Sequence, residues 1–284
     1  MYLKEAEKSI IIKLKKGVLH MPVLGFIGTG SMGGALARAA SRKPVENRLL
    51  LANRHPEKAA ALAAELGGEL SDNKGTAARA DFIFLGVKPQ MLEELLAELE
   101  AVLAARKEPF TLVSMAAGTS IEKVRRAAGG NYPVIRIMPN TPAAIGQGMI
   151  LYDCAGVSPE TEQAFLSAMS GAGRFSRLEE RLIDAGSAVS GCGPAFVDLF
   201  IEALADGGVA CGLPRQKALE FAAQMTAGAA LLVLESGRHP GELKDAVCSP
   251  GGTTIQGVRA LERFGFRGAV MEAVAAAYEK NFQL

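Results

Sequence analysis

Between residues 23 and 138 the chain alternates two kinds of apolar pattern. Val23-Leu24-Gly25-Phe26-Ile27-Gly28 is a short, continuous apolar run closing on glycine, which reads as a strand buried on both faces. An Ala-rich stretch with helical spacing follows over Ser31–Ser41. Residues 49–53 form a second apolar run. Pro56 then stands where a helix accepts proline in its first turn, with Glu57 beside it, and that helix is expected to run to Leu66 and stop at Gly67-Gly68. Residues 82–87 form a third strand run, and Pro89 opens a helix through Leu103. Residues 110–115 and 134–138 supply two more strands, and 149–152 an edge strand. Strands and helices in this alternation predict a mostly parallel sheet with helices on both faces.

From about residue 178 the strand runs vanish. Ala/Leu/Glu-rich segments cover 194–209, 214–236, 253–264 and 266–282, separated by Gly212-Leu213-Pro214 and His239-Pro240-Gly241. The expected organisation is an N-terminal extension (1–20), an α/β domain (21–177) and an all-helical domain (178–284). Residues 222–234 are apolar on nearly every helical face. Such a helix must be covered on all sides, which a domain of about a hundred residues does poorly alone, so a partner chain is expected to cover it.

Composition narrows the classes. Of the 284 residues 49% are apolar, enough for a sizeable core, and the net charge of +1 creates no field that would gather nucleic acid or anionic membrane. With no Trp and four Tyr, a base-stacking platform is not expected. Cys154, Cys192, Cys211 and Cys248 form no C-x-x-C pair, and His20, His55 and His239 are scattered, so no metal site is expected. Free thiols suit a reducing cytoplasm. No apolar run is read as reaching the length of a membrane span. Residues 1–20 carry five Lys and two Glu around Ile10-Ile11-Ile12, too short for a secretory core; Met21 is read as the natural start, with the preceding segment an extension or arm.

Candidate chemistry begins at Gly28-Thr29-Gly30-Ser31-Met32-Gly33, a G-x-G-x-x-G turn between an expected strand and an expected helix. Gly28 permits the tight turn, Gly30 removes a side chain so that a pyrophosphate can approach, and Gly33 lets helix and strand pack closely. The helix N-terminus offers free N–H groups to the phosphates. At the end of the second strand, where an NAD enzyme usually places a carboxylate, stand Asn53-Arg54-His55, with Lys58 beyond. These bind a 2′-phosphate rather than repel it, so NADPH is the expected cofactor, with NADH weaker.

In the helical half, Ser249-Pro250-Gly251-Gly252-Thr253-Thr254 precedes a helix. Two readings are open: consecutive glycine N–H groups flanked by hydroxyls that grip a small carboxylate, or an ordinary cap in which Thr253 or Thr254 satisfies the first turn.

Several further blocks occur in order: Val87-Lys88-Pro89-Gln90, Ala116-Ala117-Gly118, Met138-Pro139-Asn140-Thr141-Pro142, Ser190-Gly191-Cys192-Gly193-Pro194-Ala195-Phe196, Ala203-Leu204-Ala205-Asp206-Gly207-Gly208-Val209 and His239-Pro240-Gly241-Glu242-Leu243-Lys244-Asp245. With the 249–254 loop, they resemble the pyrroline-5-carboxylate reductase family from about Val23 onward. The resemblance implies a Rossmann-type NADP-binding domain followed by a helical substrate and dimerisation domain, in a homodimer or an assembly of dimers. It implies NADPH-dependent reduction of L-1-pyrroline-5-carboxylate to L-proline. Thr254 is then the catalytic residue that hydrogen-bonds the imine nitrogen. Glu180, Ser249, Gly251, Gly252 and Thr253 join it around the substrate, while Asn73, Val87, Lys88, Pro89 and Ala117 join Gly28–Gly33, Asn53 and Arg54 around the cofactor.

One position departs from the pattern. Ala246 stands where some members carry a substrate-contacting Asn, so that contact is lost. Two rivals differ in testable ways. A β-hydroxyacid dehydrogenase needs a Lys base shortly after the glycines that open the helical domain, and the turn from Gly191 to Val197 has none. A non-catalytic NADP-binding regulator has no use for the 249–254 loop.

Overall fold

The computed structural model describes residues 21–42 and 47–281. The expected extension at residues 1–20 lies outside them. The described residues form two compact units, one running to Gly191 and rejoined from Lys280, the other Cys192–Glu279.

The first unit follows the chain as β1 (Val23–Ile27), α1 (Ser31–Ser41), β2 (Arg48–Ala52), α2 (Pro56–Leu66), β3 (Glu69–Leu70), α3 (Asn73–Arg79), β4 (Phe82–Leu85), α4 (Leu92–Ala105), β5 (Thr111–Ser114), α5 (Ile121–Ala127), β6 (Val134–Met138), β7 (Gly148–Ala155), α6 (Pro159–Met169), β8 (Gly173–Arg177) and α7 (Ile183–Ser190). The strands make one sheet in the order β3-β2-β1-β4-β5-β6-β7-β8. β1 to β6 run parallel, β7 turns antiparallel to β6, and β8 is parallel to β7.

Period-two geometry splits each continuous apolar run between the two faces. Leu24, Phe26, Leu49, Leu51, Phe82, Phe84, Val113, Ile135 and Ile137 face one core with α1, α2 and α6. Ile27, Leu50, Ala52, Ile83, Leu85, Leu112 and Val134 face the other with α3, α4 and α5. Phe26 and Phe84 pair directly across β1 and β4 and stack at 4.3 Å. Each buried side chain of this size contributes roughly 1.5–3 kcal/mol.

α1 and α2 match their expected spans, and α2 ends on Gly67 in the left-handed region at φ 67°. The helix expected from Pro89 opens as a 3₁₀ turn at Pro89–Met91 before α4. The contact boundary lies at Gly191, later than the 177/178 division expected from pattern. β8 and α7 belong to the first unit because Ile183 packs against Met138 and Leu151 on the sheet.

The second unit contains α8 (Gly193–Ala210), α9 (Arg215–Ser236), α10 (Pro240–Ala246), α11 (Thr253–Arg263) and α12 (Phe266–Asn281), whose last residues cluster with the first unit. Its own buried core is slight: Ala205, Ala218 and Ala222, with Ile201 and Val209 against them. Leu199, Phe221, Leu231, Leu232, Leu234, Phe264 and Met271 are exposed. The reading that no run is long enough for a membrane span is corrected here. Glu180–Ala210 and Arg215–Ser236 both reach that length and apolarity, their many Ala and Gly residues interrupting the large apolar side chains without making the helices polar. Length and composition alone do not separate a membrane span from a subunit interface.

Candidate cofactor and substrate site

The glycine turn lies at the carboxyl end of β1. Gly28 has φ 94°, and a β-carbon there would lie 2.5 Å from the Gly86 carbonyl oxygen, so the turn requires glycine on both counts. A β-carbon at Gly33 would lie 2.1 Å from the Gly28 oxygen, which fixes the close approach of α1 to the turn. At Gly30 the result is opposite: nothing lies within 4 Å of an added β-carbon. Gly30 caps α1 with no side-chain hydrogen bond to the first-turn amides. An open face before free helical N–H groups fits a pyrophosphate.

Neighbouring residues complete this edge. Gly28 N–H donates to the Ala52 carbonyl at 2.9 Å, joining the turn to the end of β2. Asn53 Nδ2 donates to Thr29 Oγ1 at 2.9 Å, while Asn53 Oδ1 accepts the His55 N–H at 3.0 Å. The Asn53 amide therefore shapes the loop that presents the exposed Arg54. Ser31 is exposed and Met32 half-buried on the opening turn of α1. Val87, half-buried, and Lys88, exposed, follow β4, with Pro89 starting the next turn. Asn73 opens α3 and its Nδ2 donates to Glu98 Oε2 at 3.2 Å. Ala117 follows β5 and packs against the cluster formed by Met138, Leu151 and Ile183. The structure thus brings the residues expected around the cofactor to the ends of β1, β2, β4 and β5 and the start of α3.

Glu180 also lies in the first unit. Its Oε1 accepts the Ile121 N–H at 2.6 Å and Arg136 Nη1 at 3.4 Å. Pattern reading did not single out Arg136, because residues 134–138 read as one strand run whatever the single charge within it; its side chain is only 4% exposed.

The remaining substrate residues lie in the second unit. Gly251 has φ 71° with nothing within 4 Å of an added β-carbon, and Gly252 N–H donates to the Ser249 carbonyl at 3.0 Å. Gly252, not a threonine, caps α11, and no side chain bonds to the first-turn amides. Capping by Thr253 or Thr254 is therefore corrected: both stand inside the helix, exposed, because the Gly251 turn advances the helix start by one residue. Just before this loop, Lys244 Nζ bonds Asp245 Oδ1 at 2.8 Å, and that bond raises the Lys244 pKa.

A separate cluster ties α6 to β7 and β8. Tyr152 Oη donates to Glu162 Oε1 at 2.8 Å and Arg177 Nη1 donates to Glu162 Oε2 at 3.0 Å. Burial first, then the hydrogen bond and charge of Glu162, push the Tyr152 hydroxyl up to about 12. Burial likewise pushes up the neighbouring Cys154 thiol.

Residues 23–118 match the family model described as NADP oxidoreductase, coenzyme F420-dependent, which defines the first unit as that of an NADP-dependent oxidoreductase. Residues 180–284 match the model for pyrroline-5-carboxylate reductase dimerisation. The chain is 42% identical over 264 residues to the pyrroline-5-carboxylate reductase of Pisum sativum, covering 92% of this chain and 95% of that one. It is 41% identical over 265 residues to that of Escherichia coli, covering 92% and 97%. The crystal structure of Plasmodium falciparum pyrroline carboxylate reductase with NADP bound superposes with a TM-score of 0.82 at 31% identity, covering 92% and 98%. The chain belongs to the pyrroline-5-carboxylate reductase family. Its dimerisation domain accounts for the exposed apolar helices: the protein is a homo-oligomer.

Proposed function

We propose that this protein reduces L-1-pyrroline-5-carboxylate to L-proline at the expense of NADPH, with a homodimer as the basic unit. The observation that carries the reading is the open glycine cradle at Gly30 in front of the uncapped α1, in a chain whose 92% coverage by reductases of this name leaves little unmatched.

When bound, the cofactor supplies the hydride, and one proton completes the conversion of imine to amine. The chain's own residues have four tasks. The N–H groups opening α1, beside Gly28, Thr29 and Gly30, hold the pyrophosphate, and Arg54 binds the 2′-phosphate. Asn73, Val87, Lys88, Pro89 and Ala117 line the cofactor's path along the strand ends. The amides of Gly251 and Thr253, with the Ser249 hydroxyl, grip the substrate carboxylate, while the Gly252 N–H closes the turn onto the Ser249 carbonyl. Thr254 hydrogen-bonds the ring nitrogen. A hydroxyl is a weak acid, but a protonated imine already accepts hydride well, so orientation and charge stabilisation suffice. The four free cysteines support a reducing location, which we propose is the cytoplasm.

The test is NADPH oxidation with pyrroline-5-carboxylate beside a panel of other cyclic imines and hydroxy acids, with proline identified as product. Turnover is expected with the five-membered imine. Oxidation of hydroxy acids without imine reduction, or nucleotide binding without turnover, overturns the proposal.

A further inference from the structure

Arg136 stands in the middle of β6 between Ile135 and Ile137, with Ser114 and Asp153 as its cross-strand neighbours. A guanidinium so buried requires charged or hydrogen-bonding partners. Nη2 donates to Asp184 Oδ1 at 2.7 Å, and Nη1 to Glu180 Oε1 at 3.4 Å. The Glu180 backbone N–H donates to Asp153 Oδ2 at 2.8 Å, so the residue is held at main chain and side chain alike.

The oxygen of Glu180 that faces Arg136 is also the acceptor for the Ile121 N–H at 2.6 Å. Ile121 opens α5 directly after the loop that contains Ala117, beyond the carboxyl end of β5. Ala117 in turn packs against the small apolar cluster that includes Ile183, the first residue of α7. The hydrogen bond therefore joins the segment after β5 directly to Glu180, and a shared apolar cluster holds Ala117 and the start of α7. Ligands of open parallel sheets lie beyond the carboxyl ends of the strands, and only β4 separates β5 from the β1 glycine turn.

We infer that Glu180, held by Arg136, is a positioning residue that fixes the loop after β5 for nicotinamide-nucleotide binding, and is not a substrate ligand. The inference rests on the NADPH role proposed above for that loop.

The experiment compares Glu180→Ala, Glu180→Gln and Arg136→Lys with the parent. NADPH affinity is measured by fluorescence titration without substrate, followed by thermal midpoints and steady-state KM for the imine. Glu180→Ala is expected to weaken NADPH binding about tenfold, as loss of a charge-assisted hydrogen bond does. Its imine KM stays within about twofold of the parent's, since no substrate contact is removed. Glu180→Gln keeps an oxygen for the Ile121 N–H and restores most of the affinity, while Arg136→Lys weakens it in the direction of the alanine variant.

Parent-like NADPH affinity in Glu180→Ala, whatever its thermal midpoint, overturns the inference. So does a raised imine KM in both Glu180 variants at unchanged NADPH affinity. Should Glu180→Ala fail to fold, parent-like affinity in Arg136→Lys overturns it equally. A parent that binds NADPH but does not reduce the imine refutes the proposed reaction instead, and the affinity comparison still decides the role of Glu180.

Discussion

Replacing Gly30 by Ala separates what the glycine turn does for folding from what it does for binding. The backbone there has φ −70° and ψ −164°, which alanine adopts without strain, and an added β-carbon meets nothing within 4 Å. The folded protein therefore tolerates the methyl group. Loss of backbone freedom in the unfolded chain even favours the variant by about 0.4–1 kcal/mol. The same methyl would occupy the open space through which pyrophosphate is proposed to reach the α1 amides. Forfeiting one charge-assisted hydrogen bond costs about 1.5–3 kcal/mol, or roughly 10- to 150-fold in Kd. The assay pairs thermal unfolding without nucleotide with a fluorescence titration of NADPH. A nucleotide-free melt at or slightly above the parent's is expected, together with a greatly diminished upward shift on adding NADPH. Gly33→Ala supplies the contrast: its β-carbon would lie 2.1 Å from the Gly28 oxygen, and overpacking of that kind costs about 1–3 kcal/mol before any ligand is added. Gly30→Ala binding NADPH as tightly as the parent would refute the reasoning, because the open face would then not be the phosphate site.

Three further outcomes are expected. Arg54→Glu places a carboxylate where the 2′-phosphate is proposed to bind, so the ratio of kcat/KM for NADPH over NADH should fall by about tenfold or more; an unchanged ratio removes Arg54 from cofactor choice. Thr254→Ala should lower kcat with the imine by about tenfold or more while leaving NADPH affinity intact, the pattern of an interaction made at the reacting end; parent-level turnover would clear Thr254 of its role. Tyr152 ionises at about 12 in the folded protein against 10.0 ordinarily, so its neutral form favours folding fully below pH 10, and that contribution is lost as pH rises through 12. Between those limits the parent's melting temperature should fall more steeply than that of Tyr152→Phe, and coincident profiles would show that the Glu162 contact has no such linkage.

Much of the first unit was legible because strands buried on both faces give unbroken apolar runs and their helices begin and end on proline and glycine. What escaped has identifiable causes. β3 is two exposed residues, Glu69 and Leu70, paired with β2, so it carries no apolar signal. α3 and α5 have seven residues each, too few for a clear helical period. α6 did announce itself, with Ser158 accepting the Thr161 N–H as cap, Pro159 in the first turn and Glu160 beside it, but its apolar face is narrow. The glycine roles were readable because steric demands reside in the sequence itself. The environment of Glu180 was not, since it depends on Arg136, 44 positions away, crossing from another strand.

The surplus of bare leucine and phenylalanine on the helical unit has a thermodynamic consequence of its own. With little more than Ala205, Ala218 and Ala222 sealed inside, that region has too small a private interior to persist alone. Dilution then becomes a denaturing condition, and heat tolerance should climb with protein concentration as in other obligate assemblies. Newly synthesised chains are then expected to gain full stability only once they have met a partner copy.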